Sequence, residues 1–266
     1  MIRLTYIYHD CFVLETSQAV VVFDYWRDTA GTQRGELPSF FDSLPEELPV
    51  YVMVSHHHKD HYSRDIFEWD RLRKGIHYIL SRDTAKSARP YISADSHYAG
   101  YKVAAEQVTV LRPGEKAVLP GVRVYAYGST DTGNSWVVES DGFSVMHAGD
   151  LNAWIWKDES TEAEVRKAIG DFRAVLRIIA ADWPRLDVCM FPVDSRIGTD
   201  YWTGAAMLVR AIDVGVFIPM HFELGESPEE VEQRHRDAAD FGAYANRERG
   251  EYVMLGAGGS YWRGER

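Results

Sequence analysis

The stretch from Pro49 to His61 constrains this chain more than any other. An apolar run, Pro49-Val50-Tyr51-Val52-Met53-Val54-Ser55, delivers the backbone directly into His56-His57-His58-Lys59-Asp60-His61. A short, β-branched run of this kind reads as a buried strand, and a buried strand end is a rigid support. Folding alone does not favour the histidine-rich segment beyond it, since His and Asp are poor core residues. In an extended segment His56 and His58 lie on one side of the chain, so both imidazoles reach one cation. Asp60 and His61 come next as the loop bends and point at a neighbouring position. Imidazole nitrogen together with carboxylate oxygen suits Zn²⁺ best, with Mn²⁺ or Fe also compatible. A histidine-rich surface tract is the plain alternative, and the apolar strand bounding this internal run weighs against it.

The six-residue motif cannot complete a metal site, so further ligands must come from elsewhere. Two other strand-like runs end in suitable residues. His147-Ala148-Gly149-Asp150 closes one, its glycine allowing a close turn, and Ile218-Pro219-Met220-His221 closes another. Three apolar strands that each terminate in His or Asp are what a site at the edge of a sheet sandwich requires.

The rest of the chain alternates strands and helices. Strand-like runs lie at 4–8, 11–15, 19–24, 78–81, 108–111, 122–127, 135–139, 144–147, 187–193, 216–220 and 251–255. Asp141-Gly142 marks a hairpin. Helical character is expected over 64–73, 205–213 and 228 to about 247. It is also expected over 160–183, where Val165, Ile169, Phe172, Leu176 and Ile179 follow a helical period. Residues 25–48 read as a loop with one helical turn. This order indicates an α/β protein, and with no linker-like stretch residues 1–266 are expected to form a single domain. A chain 45% hydrophobic and 26% charged has ample material for a core.

A net charge of −11 argues against a nucleic-acid surface, which needs clustered Lys and Arg. The first residues lack the pattern of a secretion signal. No apolar run approaches the roughly 20 residues that span a bilayer, so a soluble, cytoplasmic protein is expected, with no membrane partner. Cys11 and Cys189 are expected to be buried free thiols.

The order H-x-H-x-D-H, then G-D, then a strand-end histidine resembles the metallo-β-lactamase-fold superfamily. More narrowly, Tyr8-His9-Asp10-Cys11-Phe12-Val13-Leu14-Glu15, the Val22-Phe23-Asp24 strand end and the His147–Asp150 turn look like its ascorbate-6-phosphate lactonase-like branch. The resemblance runs from residue 4 to about 222. It implies a four-layer αββα sandwich with a binuclear metal site at one sheet edge. His56 and His58 would hold the first metal, Asp60, His61 and His221 the second, and Asp150 would bridge them. The implied chemistry is hydrolysis of an ester, lactone, amide or phosphoester bond in a small molecule by a metal-held hydroxide. Asp60 doubles as the catalytic carboxylate that orients the nucleophile or shuttles a proton.

One departure bears on the metal count. Family members supply a third histidine to the first metal from a loop that here reads Tyr127-Gly128-Ser129-Thr130-Asp131-Thr132-Gly133. Asp131 stands as a substitute carboxylate ligand, Ser129 and Thr130 as nearby hydrogen-bonding groups, and an ordinary turn as the plain alternative. The second position is therefore expected to be the stronger, with one or two Zn²⁺ ions bound. His147 is expected to support the site without ligating, His9 to contact a ligated group, and His57 to point away. His77, His97 and His235 carry no pattern. Trp154, Trp156 and Arg196 are suspects for substrate contact, each with a packing or ion-pair role as the plainer reading. The competing functions are a metal-binding protein with lost catalysis, a nucleic-acid-processing hydrolase and oxidative chemistry with an iron pair. Homo-oligomerisation stays open.

Overall fold

The computed structural model describes residues 1–27, 37–92, 103–225, 227–248, 250–256 and 260–265. Its strands are β1 (Ile2–Tyr8), β2 (Cys11–Glu15), β3 (Val20–Phe23), β4 (Val50–Val54), β5 (His77–Ser81), β6 (Val108–Leu111) and β7 (Lys116–Leu119), followed by β8 (Val122–Gly128), β9 (Asn134–Ser140), β10 (Phe143–His147), β11 (Arg185–Pro192), β12 (Asp213–Met220), β13 (Glu251–Tyr252) and β14 (Tyr261–Gly264). The α-helices are α1 (Leu37–Phe41), α2 (Arg82–Ser87), α3 (Arg89–Ile92), α4 (Glu162–Asp182), α5 (Thr203–Ala211) and α6 (Pro228–Glu248). The strands form two seven-stranded sheets, in the orders β14-β1-β2-β3-β4-β5-β6 and β13-β12-β11-β10-β9-β8-β7.

The chain gathers into two compact units. The first comprises Met1–Ala126, Val138–Gly142 and Leu255–Arg266, the second Tyr127–Val137 and Phe143–Met254. In the first, β1, β2 and β3 pair antiparallel, and β3, β4, β5 and β6 then run parallel. Strands β3 and β4 are buried at every position, which is why they read as continuous apolar runs without alternation. Val22, Val52, Val54, Phe67, Trp69 and Tyr78 belong to one buried cluster. In the second unit β10, β11, β12 and β13 run parallel. Phe172 of α4 packs on Phe191, and Phe217 on Phe241 of α6, at ring separations of 5.9 and 5.3 Å. Helix α4 opens on a capping box, in which Thr161 accepts from the Glu164 amide and Glu164 reaches back to Thr161. It buries Phe172, Leu176 and Ile179, while Val165 and Ile169 of the stripe read from the sequence stay half-buried.

Several boundaries differ from expectation. Residues 64–73 form a 3₁₀ helix over Arg64–Arg71. Strand β13 stops at Tyr252; Glu251 and Tyr252 pair in register with Val216 and Phe217 of β12, and Val253 N still donates to Phe217 O at 2.9 Å. Strands β7 and β14 were not expected. β7 alternates exposed and half-buried, and β14 is four residues with Arg and Gly, so neither carries an apolar pattern. Residues 28–36 of the expected loop at 25–48, and His97, lie outside the described residues. No helix among the described residues is long and apolar enough to cross a membrane.

Candidate metal centre

The six expected ligands His56, His58, Asp60, His61, Asp150 and His221 lie just beyond the C-terminal ends of parallel strands, where sheets of this kind place their ligands. Asp131 lies instead between β8 and β9. In the first unit β3 leads to Asp24 and β4 to Ser55 and the histidine run. In the second, β10 leads through His147 to Asp150, β11 to Asp194 and β12 to His221. The backbone is strained there. His9, Asp24, Trp154 and His221 have φ of 56°, 44°, 36° and 68°, a left-handed region that bulky residues adopt only when their surroundings enforce it.

In the first unit Asp24 organises the motif. Its Oδ1 accepts from the Ser55 amide at 2.7 Å. Its Oδ2 accepts from Ser55 Oγ at 2.5 Å and from His61 Nδ1 at 2.8 Å. All three residues are fully buried. A carboxylate only accepts, so His61 carries its proton on Nδ1 and presents Nε2 as a lone pair. Ser55 has spent its hydrogen on Asp24, so its Oγ accepts from His56 Nδ1 at 3.0 Å, and His56 likewise presents Nε2. That atom lies 3.0 Å from His58 Nδ1. Asp60 is part-exposed, with an oxygen 3.8 Å from His9 Nε2. His57 turns instead to Asp83, 2.9 Å from its Nδ1.

The second unit repeats the device. Asp194, buried at the end of β11, accepts from His221 Nδ1 at 2.9 Å and from the Arg196 guanidinium. Burial alone would raise the Asp194 carboxyl, but the hydrogen bonds from His221 and Arg196 outweigh it and hold it well below the usual carboxylate range. Arg196 is thus engaged in clamping Asp194. His221 Nε2 faces Asp150 Oδ1 at 3.2 Å. Asp131 and Asp150 each offer a carboxylate oxygen within 4.8 Å of the other. The loop carrying Asp131 is pinned by Thr130 Oγ1, which donates to Asn152 O at 2.6 Å and accepts from Asn152 N at 3.0 Å. Trp154 donates its indole N–H to Asp150 O at 2.7 Å, and its ring lies 5.3 Å from that of His221. His147 is buried and accepts from Gly149 N at 3.2 Å, which shapes the turn.

The donors present fit a divalent cation. Two ligands about 2.05 Å from one ion lie roughly 3.0 Å apart at a right angle and roughly 3.3 Å apart at a tetrahedral angle. The 3.0 Å between His56 and His58 and the 3.2 Å between His221 and Asp150 match that spacing. Locking imidazole Nδ1 with a carboxylate or hydroxyl so that Nε2 can ligate is the usual second layer of a metal site. Asp24 and Asp194 are the residues that sequence reasoning missed in this role. Their only signal is an aspartate directly after an apolar run, at Phe23-Asp24 and Val193-Asp194.

Comparison with known proteins agrees. A family described as the β-lactamase superfamily domain matches residues 3–166. A UPF0173 metal-dependent hydrolase from Opitutus terrae is 30% identical over 257 residues, 90% of this chain and 91% of that protein. Among solved structures, a metallo hydrolase from the archaeon Ignicoccus hospitalis matches with a TM-score of 0.62 at 16% identity, over 99% of each chain. A diiron β-hydroxylase from Streptomyces venezuelae matches at 0.63 and 15% identity, over 98% of this chain and 54% of that one. These likenesses show the expected fold, an α/β sandwich of two mixed sheets flanked by helices. On the family match and the Opitutus relative, the chain belongs to the metallo-β-lactamase superfamily, among its metal-dependent hydrolases.

Proposed function

We propose that the protein hydrolyses an ester, lactone, amide or phosphoester bond of a small molecule, with His56, His58, Asp60, His61, Asp150 and His221 as metal ligands. The observation that carries this is the orientation of His61 and His221. Each is clasped at Nδ1 by a buried aspartate, and His221 turns Nε2 towards the Asp150 carboxylate. A lone pair facing a carboxylate is unfavourable unless a cation lies between them. Zn²⁺ is the first choice for the imidazoles, and the carboxylates suit Mn²⁺ or Fe as well. A bound ion of this kind supplies Lewis acidity and an acidified water at neutral pH.

The chain's own groups do the rest. Asp60, with a side chain 28% exposed, is the catalytic carboxylate: it ligates and takes a proton from the attacking water. Asp131 stands where a third histidine would, a carboxylate beside Asp150, so the first position is the weaker of the two. Beside Trp154 a cavity of about 180 Å³, lined also by Thr130, Ala153, Lys167 and Ala168, has room for one part of a small substrate. The likeness of residues 8–15 to the lactonase branch makes lactones the first compounds to try.

The test is metal analysis followed by a panel of lactones, esters and phosphodiesters run on the wild type and on Asp60→Asn. At least one ion per chain, with turnover lost in Asp60→Asn, is expected. Less than about half an ion per chain after metal supplementation would sink the enzyme reading. Full metal loading with no turnover across the panel would favour a binding protein, the reading that the absent third histidine motivates.

A further inference from the structure

We propose, on the basis of that metal centre, that Asp10 is a further ligand of the ion held by His61. Residues 9 and 10 form the two-residue turn between β1 and β2. Such a turn normally sits in solvent and uses Asn or Gly to reach positive φ. Here it is His-Asp, with both side chains at 0% exposure and His9 at a φ of 56°. The pairing of β1 with β2 also slips by one residue between Tyr6 and Tyr8, a bulge of the kind that re-aims side chains beside functional sites. Nothing about closing a hairpin calls for a buried carboxylate, and burying one is costly unless a positive group meets it.

Two imidazole nitrogens stand beside that carboxylate. Asp10 Oδ2 lies 3.5 Å from His61 Nε2 and 3.1 Å from His9 Nε2. His61 gives its Nδ1 proton to Asp24, so the atom it turns to Asp10 is the one that ligates. Lone pair and carboxylate at 3.5 Å are held together by a cation that both can bind, and the separation is close to that of two ligands sharing one. His9 Nε2, between Asp10 and Asp60 at 3.1 and 3.8 Å, is the group that orients Asp10. The first unit's contribution to the second metal position then becomes Asp10, Asp60 and His61. This raises the share of oxygen donors and tilts the preference from Zn²⁺ towards Mn²⁺ or Fe.

The test is Co²⁺ loading of the full-length protein, read by the visible d–d spectrum and by chelator competition. Asp10→Asn keeps the shape of the side chain and removes the anionic donor. It is expected to change the band positions and intensity and to weaken Co²⁺ binding at least about tenfold. If Asp10→Asn does not fold, Asp10→Glu keeps the charge but displaces the donor by a methylene, and its spectrum must still differ from that of the wild type. A variant that folds and keeps the wild-type spectrum and affinity overturns the proposal. So does one whose only defect is stability, since that outcome makes Asp10 the partner of a protonated His61. A wild type that takes up no metal refutes the metal centre itself. Normal wild-type loading with an unaltered Asp10 variant refutes the role of Asp10 alone.

Discussion

Asp24→Asn should damage metal binding far more than so small a change suggests. The carboxylate serves three donors: the Ser55 amide at 2.7 Å, Ser55 Oγ at 2.5 Å and His61 Nδ1 at 2.8 Å. An amide has one accepting oxygen and a donating NH₂ in place of the other. If the oxygen stays with the Ser55 amide, the NH₂ meets His61 Nδ1. That nitrogen must then accept, which moves the imidazole proton to Nε2 and blocks ligation. If the oxygen turns to His61, the NH₂ faces the Ser55 N–H, and a buried donor is left unmet at about 1–3 kcal/mol. Metal affinity should fall about 10- to 100-fold, which is roughly 1.4–2.7 kcal/mol, on top of that loss in the metal-free protein. Asn is the informative replacement because residue 24 has a φ of 44°, which Asn tolerates, whereas Ala would add about 1–2 kcal/mol of backbone strain. Chelator competition measures the first quantity and urea unfolding in excess chelator the second. An Asn variant that binds metal and unfolds like the wild type would show that Asp24 does not set the His61 tautomer.

Chelating the metal should lower the urea midpoint, since a ligand at about 100 times its Kd adds roughly 2.7 kcal/mol to the folded state; an unmoved midpoint would mean that the ion is not bound in the native fold. Gly204→Ala places a Cβ 2.0 Å from Asn152 Oδ1 and 2.9 Å from the Ala153 amide. It should cost about 1–3 kcal/mol and reduce turnover by shifting the segment that leads into Trp154, so stability and kcat should fall together. Thr161→Ala removes the cap of α4 and should cost about 1 kcal/mol by denaturant titration with activity unchanged. Cys11 and Cys189 are both buried, and burial pushes the Cys189 thiol well up. A thiol reagent should therefore read none in the native protein and two after denaturation.

The sequence made the motif and its strand supports legible because both are local. Val50–Val54 is buried at every position, and a fully apolar run ending in four histidines needs no tertiary information to interpret. The same holds for the helical stripe Phe172, Leu176 and Ile179. The positioning residues were not legible, because their role is a contact across long separations: Asp24 reaches His61 over 37 residues and Asp194 reaches His221 over 27. Asp10 was hidden in the opposite way. It sits in the two-residue connection between two strand-like runs, and its burial and its approach to His61 Nε2 are visible only in the structure. Arg196, a substrate suspect from sequence, proved to be occupied by Asp194, an i to i+2 pairing that spacing alone cannot tell from a free cation.

The two long-range clamps share one geometric origin. Asp24 ends β3 and the histidine run comes after β4, and these strands are parallel neighbours. Asp194 comes after β11 and His221 after β12, again parallel neighbours, in register from Arg185 with Asp213 to Pro192 with Met220. Parallel neighbours lie about 4.8 Å apart, so residues just past their ends are within reach of a short side chain. An aspartate at one end can therefore meet an imidazole or amide at the next. In β3 and β4 the carboxylate holds the backbone at Ser55 as well as His61. In β11 and β12 Arg196 steadies the carboxylate instead. Parallel pairing thus does more than bury the strands: in the proposed metal centre it sets an aspartate against Nδ1 of His61 and of His221 and so would leave Nε2 to ligate.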